Sequence, residues 1–157
     1  MGTHVDVTVR AARLDDLQSL VEFNQRLAGE SEGTALDPAV LRAGVAAVLA
    51  EPSRGRYFIA EAAGRVVGQT CVTYEWSDWR NGTIWWLQSV YVHTDFRRSG
   101  VFRRLLQQVV HEAGALDDVV GLRLYVAQDN RTAQETYRRL GFDDAGYVVM
   151  ERLGRLS

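Results

Sequence analysis

Two long β-type runs separated by an Asn-Gly pair constrain this chain more than any other feature. Val66 to Trp76 and Thr83 to His93 both read as strands, and Asn81-Gly82 sits between them. Both residues of the pair tolerate positive φ, so the pair predicts a hairpin. The second run then feeds, within a few residues, a stretch of another kind: "DFRRSGVFRRLLQQVV", Asp95 to Val110. Its apolar residues recur at helical spacing, which predicts a helix over about Gly100 to Gly114. "VGLRLYVA", Val120 to Ala127, follows as a buried-type strand. Strand, helix and strand in this order predict a right-handed parallel crossover added to the hairpin.

The flanking segments fit the same plan. Val5 to Arg10 alternates and reads as a first strand. Leu17, Leu20, Val21, Phe23 and Leu27 predict a helix from Leu14 to Ala28, with Asp15 and Asp16 where the helix dipole favours anions. "GESEGTALD", Gly29 to Asp37, reads as a loop. Asp37-Pro38 then opens a second helix, which runs to about Glu51. Tyr57 to Ala62 reads as a strand, with a tight turn at Gly64-Arg65. Asn130 to Leu140 is a helix closed by Gly141, and Tyr147 to Leu153 a last strand. The expected fold is one α/β domain over residues 1–157: a mixed, mostly antiparallel, twisted sheet of six to seven strands flanked by about four helices.

Composition narrows the function. The formal net charge is −2, against the basic surplus of a general nucleic-acid binder. The lone Cys71 has no partner for a disulfide and belongs to no zinc-type cluster, so no metal is expected. No apolar run approaches a membrane span, and the opening "MGTHVD" has no apolar signal region. The expected location is the cytoplasm.

Against that balance, the arginines at the start of the third helix stand out. Arg97, Arg98, Arg103 and Arg104 gather where the helix dipole is already positive. Either they form a solvated basic face, or the free amides of the helix start hold an anion such as phosphate, with Gly100 letting the backbone come close. Neither a Walker loop nor GxGxxG is present.

At this point the run "VYVHTDFRRSGVFRRLL" resembles the acetyl-CoA-binding signature of the GNAT N-acetyltransferase family. A strand ending in Val is followed, after a few residues, by Arg-x-x-Gly opening a helix. Arg97, Arg98, Ser99 and Gly100 match, while Phe102 stands where the family usually has Gly or Ala. "LYVAQDNRTAQETYRRLGF", Leu124 to Phe142, is similar to the family's closing motif, with Asn130, Ala133, Tyr137, Leu140, Gly141 and Phe142 in register. The resemblance extends over nearly the whole chain.

It implies acetyl-CoA as the acyl donor, lying where the strands Gln88–Val92 and Leu122–Val126 splay apart. The backbone of Val90, Tyr91 and Val92 would meet the pantetheine. Amides from Arg98 through Ser99, Gly100, Val101 and Phe102 to Arg103 would hold the pyrophosphate, with Arg97 beside them. Asn130 would help fix the pantetheine, and Tyr137 would protonate the departing thiolate. The implied reaction is direct attack of an amine on the thioester. The family often places a Glu on the strand before the pyrophosphate loop. Here that strand is "IWWLQSVYV", with Gln88 and no carboxylate, so Glu75 and Asp78 are the candidate bases.

The acceptor side is less defined. Tyr74 and Trp76 with Glu75 suit a cationic amine, or they are cross-strand packing or a dimer contact. Glu32, with Glu30, lends acidity to the loop after the first helix. A small-molecule amine is the expected acceptor, with a protein lysine or N-terminus as the other choice. A non-catalytic acyl-CoA-binding module and a structural dimer that has lost the cofactor are the competing readings. A homodimer is the expected assembly.

Overall fold

The structure is a computed structural model that describes residues 5–156. His4 and the rest of the opening tetrapeptide lie outside the described residues. The chain divides into two compact units, one ending at Leu124 and the other beginning at Tyr125.

The first unit is built on a five-stranded sheet in the order β1 (Thr8–Ala11), β2 (Arg56–Ala62), β3 (Arg65–Ser77), β4 (Gly82–Val92), β5 (Val119–Leu124). The first three pairings are antiparallel and β4–β5 is parallel. Helices α1 (Leu17–Glu32) and α2 (Pro38–Ala50) lie on one face, where Leu20, Val21 and Val45 pack on Tyr57, Ile59 and Cys71. Helix α3 (Val101–Gly114) connects β4 to β5 and packs across β1 to β4 on the other. Strand alternation sends Phe58 and Val72 toward α3, both fully buried.

Local signals act as expected at most joints. Asp37 caps α2, its Oδ1 accepting from Ala39 N at 2.9 Å and Val40 N at 3.0 Å. Asp16 accepts from Arg13 N at 2.7 Å and is held bidentately by Arg10, at 2.8 and 2.9 Å. The predicted hairpin forms, but its loop is Asp78–Asn81. Asn81 alone is left-handed (φ 46°), and Gly82 pairs with Ser77 inside the ladder. Gly82 is needed for another reason: a Cβ there would lie 2.2 Å from Val120 Cγ1 and 2.9 Å from Asp118 O. The turn after β2 uses Ala63 and Gly64, both at positive φ, rather than Gly64-Arg65.

Two expectations need correcting. Helix α1 continues to Glu32 and stops only where Gly33 turns left-handed (φ 61°), so Gly29 to Glu32 is helix and not loop. Glu30 and Glu32 are therefore last-turn residues. The sheet has five strands among the described residues, not six to seven.

The second unit contains α4 (Arg131–Arg139), capped at its start by Asn130. The predicted last strand, Tyr147 to Leu153, is irregular and its apolar side chains are exposed. Its alternation has the period of a strand, but a strand exists only where a neighbour supplies ladder hydrogen bonds, and Tyr147–Leu153 have none among the described residues. No helix among the described residues is long and apolar enough to cross a membrane.

Candidate active site

Strand β4 is the backbone of the site, and it changes character halfway along. Up to Leu87 it pairs with β3 on one side and β5 on the other; the β4–β5 ladder ends at Leu87↔Leu124. From Gln88 to Val92 it has only β3 as a ladder partner. There the β3–β4 register slips between Gln69↔Tyr91 and Cys71↔Gln88, so Ser89 and Val90 face the single residue Thr70. This is a β-bulge, and Ser89 adopts a left-handed φ of 51° to make it.

Buried polar groups secure the bulge. Gln69 Nε2 donates to Ser89 O at 3.1 Å, and Thr70 Oγ1 to Gln88 O at 3.2 Å. Asn24 of α1 donates to the hydroxyl of Tyr57 at 3.2 Å. Burial raises the Tyr57 pKa above the usual phenol value, partly offset by hydrogen bonds with Asn24 and Ser89. Sequence reasoning missed Asn24, Tyr57 and Gln69, because polar residues within core-forming runs read simply as breaks in the pattern.

Past Val92 the chain makes a short 3-10 turn, Thr94–Phe96, and enters α3. His93 Nδ1 accepts from Asp95 N at 3.3 Å. Arg98 is left-handed (φ 63°), as is Gly100 (φ 84°), which occupies the N-cap position. Gly100 supplies no side chain to cap the helix, and the space beside its Cα is open. An α-helix start leaves its first amides without intrahelical partners, so this end is suited to an anion. Behind it, α3 is fixed by buried Val101, Leu105, Leu106 and Val109. Phe102 is half-buried in the first turn.

The four arginines divide by task. Arg97 Nε donates to Val92 O at 2.9 Å, its guanidinium lies 5.4 Å from the Tyr91 ring centroid, and it pairs with Glu30. Tyr91 OH donates to the same carboxylate at 3.1 Å. The Arg97 hydrogen bond holds the Glu30 pKa below the usual carboxylate value, with Tyr91 adding to it. Arg97 thus ties the loop to α1. Arg104 donates to Val7 O at 3.1 Å. Arg98 and Arg103 are exposed beside the helix start. Glu30 lies 67 residues from Arg97 in the chain, and no local pattern pairs them.

On the α1–α2 face, next to the end of the β4–β5 ladder, Gln88 Nε2 donates to Thr73 Oγ1 at 2.7 Å. Glu75 lies on the same face and accepts from Arg123 of β5 at 2.9 Å. Tyr74 and Trp76 point to the other face, where Tyr74 packs on Trp85 with centroids 5.7 Å apart. Tyr74 and Trp85 also line a groove of about 720 Å³ with Arg56, Leu116 and Asp118, which includes none of the α3-start residues. Asp78 sits in the hairpin loop, its carboxylate accepting from Trp79 N at 3.0 Å. Glu32 is exposed at the end of α1. Cys71 is buried, and burial pushes its thiol pKa up to about 12, which suits a packing residue.

In the second unit, Asn130 Oδ1 accepts from Ala133 N at 3.1 Å, so this side chain is the cap of α4. Tyr137 packs edge-on against Phe142, and burial raises its pKa above the usual phenol value.

Comparisons with known proteins bear on the family and the fold. The model of the acetyltransferase (GNAT) family matches residues 17–142. A possible acetyltransferase from Clostridium difficile 630 is 40% identical, with 96% of this chain and 99% of that one covered and a TM-score of 0.88. A predicted acetyltransferase from Clostridium acetobutylicum, solved with acetyl-CoA, has the same fold at 18% identity (TM-score 0.77; 94% and 96% covered). So does the aminoglycoside N-acetyltransferase AAC(6')-Iy, solved with CoA, at 17% identity (TM-score 0.79; 98% of each chain). No curated protein matches the chain. The family model, the 40% identical relative and the shared fold lead to one conclusion: the chain belongs to the GNAT acetyltransferase family.

Proposed function

We propose that the protein is an acetyl-CoA-dependent N-acetyltransferase whose single catalytic domain moves an acetyl group to the primary amine of a small molecule, by direct attack in a ternary complex. The observation that carries this reading is the start of α3. Left-handed Arg98 and Gly100 turn the chain into a helix with no side-chain cap and open space at Gly100. Those features fit the pyrophosphate of a CoA thioester.

In this reading the amides from Arg98 to Arg103, Phe102 included, hold the pyrophosphate, with the Arg98 and Arg103 side chains adding charge. Arg97 acts as the strut that keeps the loop in place. Val90, Tyr91 and Val92, past the end of the β5 ladder, offer backbone groups to the pantetheine. Asn130 spends its Oδ1 on the α4 cap, so its contact is made through Nδ2.

Bound acetyl-CoA supplies an acyl thioester: the amine forms the new C–N bond as the C–S bond breaks and the thiolate leaves. The nitrogen loses two protons on becoming the amide, one before attack and one after it, and the second balances the proton given to the thiolate. The amine arrives largely as ammonium, since its pKa is near about 10, and must be deprotonated before attack. Glu75 takes that proton directly or through water; Asp78 in the hairpin loop is the other carboxylate within the segment. Tyr137 gives a proton to the thiolate. Its raised pKa keeps the phenol protonated at neutral pH, as an acid must be. Glu32, at the end of α1, has a supporting role on the acceptor side, whereas Tyr74 and Trp76 lie on the opposite face of the sheet from Glu75 and are left out of it.

The experiment is release of free thiol from acetyl-CoA by purified protein across a panel of primary amines. Amine-dependent release that drops in Tyr137→Phe supports the reading. Cofactor binding without turnover of any amine refutes it in favour of a binding module.

A further inference from the structure

One polar arrangement on the α1–α2 face is not used by the pyrophosphate or the pantetheine. Cross-strand register sets Thr73, Trp86 and Arg123 in one row, and Glu75, Ile84 and Gly121 in the next. Arg123 reaches diagonally across β4 to Glu75 at 2.9 Å, its guanidinium 5.9 Å from the Trp86 ring centroid. The bridge thus crosses β4 above buried Ile84. Neither partner is sealed in: the side chains of Arg123 and Glu75 are 27% and 41% exposed. Gly121 leaves room beside them, since a Cβ there would meet nothing within 4 Å. The β4–β5 ladder ends one residue past the Trp86↔Arg123 row, so this pair stands at the end of the ladder.

We propose that the Glu75–Arg123 pair is the acceptor-recognition site and that the acceptor is a zwitterion: an amino acid or short peptide, whose carboxylate docks on Arg123 while its ammonium docks on Glu75. The proposal rests on the N-acetyltransferase reading above and names its substrate class. A zwitterion replaces one ion pair by two and leaves no charge stranded. Guanidinium matches a carboxylate as a two-pronged donor, and Trp86 beneath it holds its plane. The amine then rests on the carboxylate proposed to take its proton. A polycation needs a surplus of carboxylates; here each acid is matched by a base, and a second ammonium meets Arg123 as a like charge. A neutral-tailed amine leaves Arg123 on Glu75, so discrimination has a repulsive or blocking element as well as an attractive one.

The test uses matched acceptors: an amino acid, its carboxamide, its decarboxylated amine, and a polyamine, each with acetyl-CoA. The wild-type protein should favour the free carboxylate by about tenfold or more in kcat/KM, the worth of one charge-assisted hydrogen bond. Arg123→Gln should collapse the ratio through the KM of the acid, and Arg123→Lys should retain part of it. Equal use of acid and amide by the wild type, or preference for the polyamine, overturns the zwitterion while leaving the N-acetyltransferase reading standing. Acetyl-CoA binding with no acceptor of any kind consumed overturns both. The wild-type comparison decides the matter even if a variant fails to fold.

Discussion

Adding one methyl group at Gly68 should loosen the start of α3, the proposed cofactor end of the molecule. Gly68 lies on β3 opposite Val92, under the first turn of α3. A Cβ built there falls 2.9 Å from Val101 Cγ1, 3.2 Å from Tyr91 O and 3.3 Å from Leu105 Cδ1. Non-bonded carbons sit at about 3.5–4.0 Å, so the closest overlap is about 0.6 Å or more. Val101 and Leu105 are 1% and 0% exposed and have no free volume to move into. The strain must therefore shift the start of α3, the proposed anion cradle. Overpacking of this kind costs about 1–3 kcal/mol. In a domain of this size that lowers Tm by roughly 3–10 °C. Displaced amides should also weaken acetyl-CoA binding by about tenfold, equivalent to ~1.4 kcal/mol. Thermal melting and calorimetric titration of Gly68→Ala read both effects. Gly44→Ala is the control: it lies in exposed α2 with nothing within 4 Å of its Cβ, and it should be neutral or stabilising by up to about 1 kcal/mol. A Gly68→Ala protein that melts with the wild type and binds acetyl-CoA equally would refute the claim that α3 is seated on this glycine.

Three further outcomes follow from the same structure. Hydrogen bonds from Arg10 lower the Asp16 pKa, so the stability from this pair is full above the unfolded carboxylate pKa and lost as pH falls through the folded one; Asp16→Asn should cost about 2–3 kcal/mol at pH 7 and less in acid, read by urea unfolding across pH. Burial raises the Cys71 thiol to about 12, so iodoacetamide at pH 8 should label it only after denaturation; rapid labelling of the native protein would contradict its burial. Tyr137→Phe should lower kcat by about 100-fold and remove the alkaline limb of its pH profile, and an unaltered profile would exclude the phenol as the acid.

The sequence revealed the elements that local chemistry determines. Asp37-Pro38 marked the start of α2 because capping needs only neighbours, and the 3.6-residue period located α3. The start of α3 near Gly100 was legible because helical periodicity is a local signal, while the left-handed turn at Arg98 carries no sequence mark. What stayed hidden depends on distant partners. Glu30 looks like loop in the sequence because Gly29 and Gly33 are equal candidates for the helix stop, and only Gly33 takes positive φ. Its grip on Arg97 joins segments that no local pattern relates. Arg123 lies in a run that reads as a buried strand, although register across β4 brings it to Glu75. The run Tyr147–Leu153 alternates like a strand, and it is irregular because alternation does not supply a pairing partner.

The most direct test of the central claim is calorimetric titration of the protein with acetyl-CoA, repeated with Arg98→Glu. Saturable binding is expected, with a steep dependence on salt, and the reversed charge at the start of α3 should weaken it severely. Binding that Arg98→Glu leaves intact, or no binding by the wild type, would contradict the assignment of the α3 start as the pyrophosphate cradle.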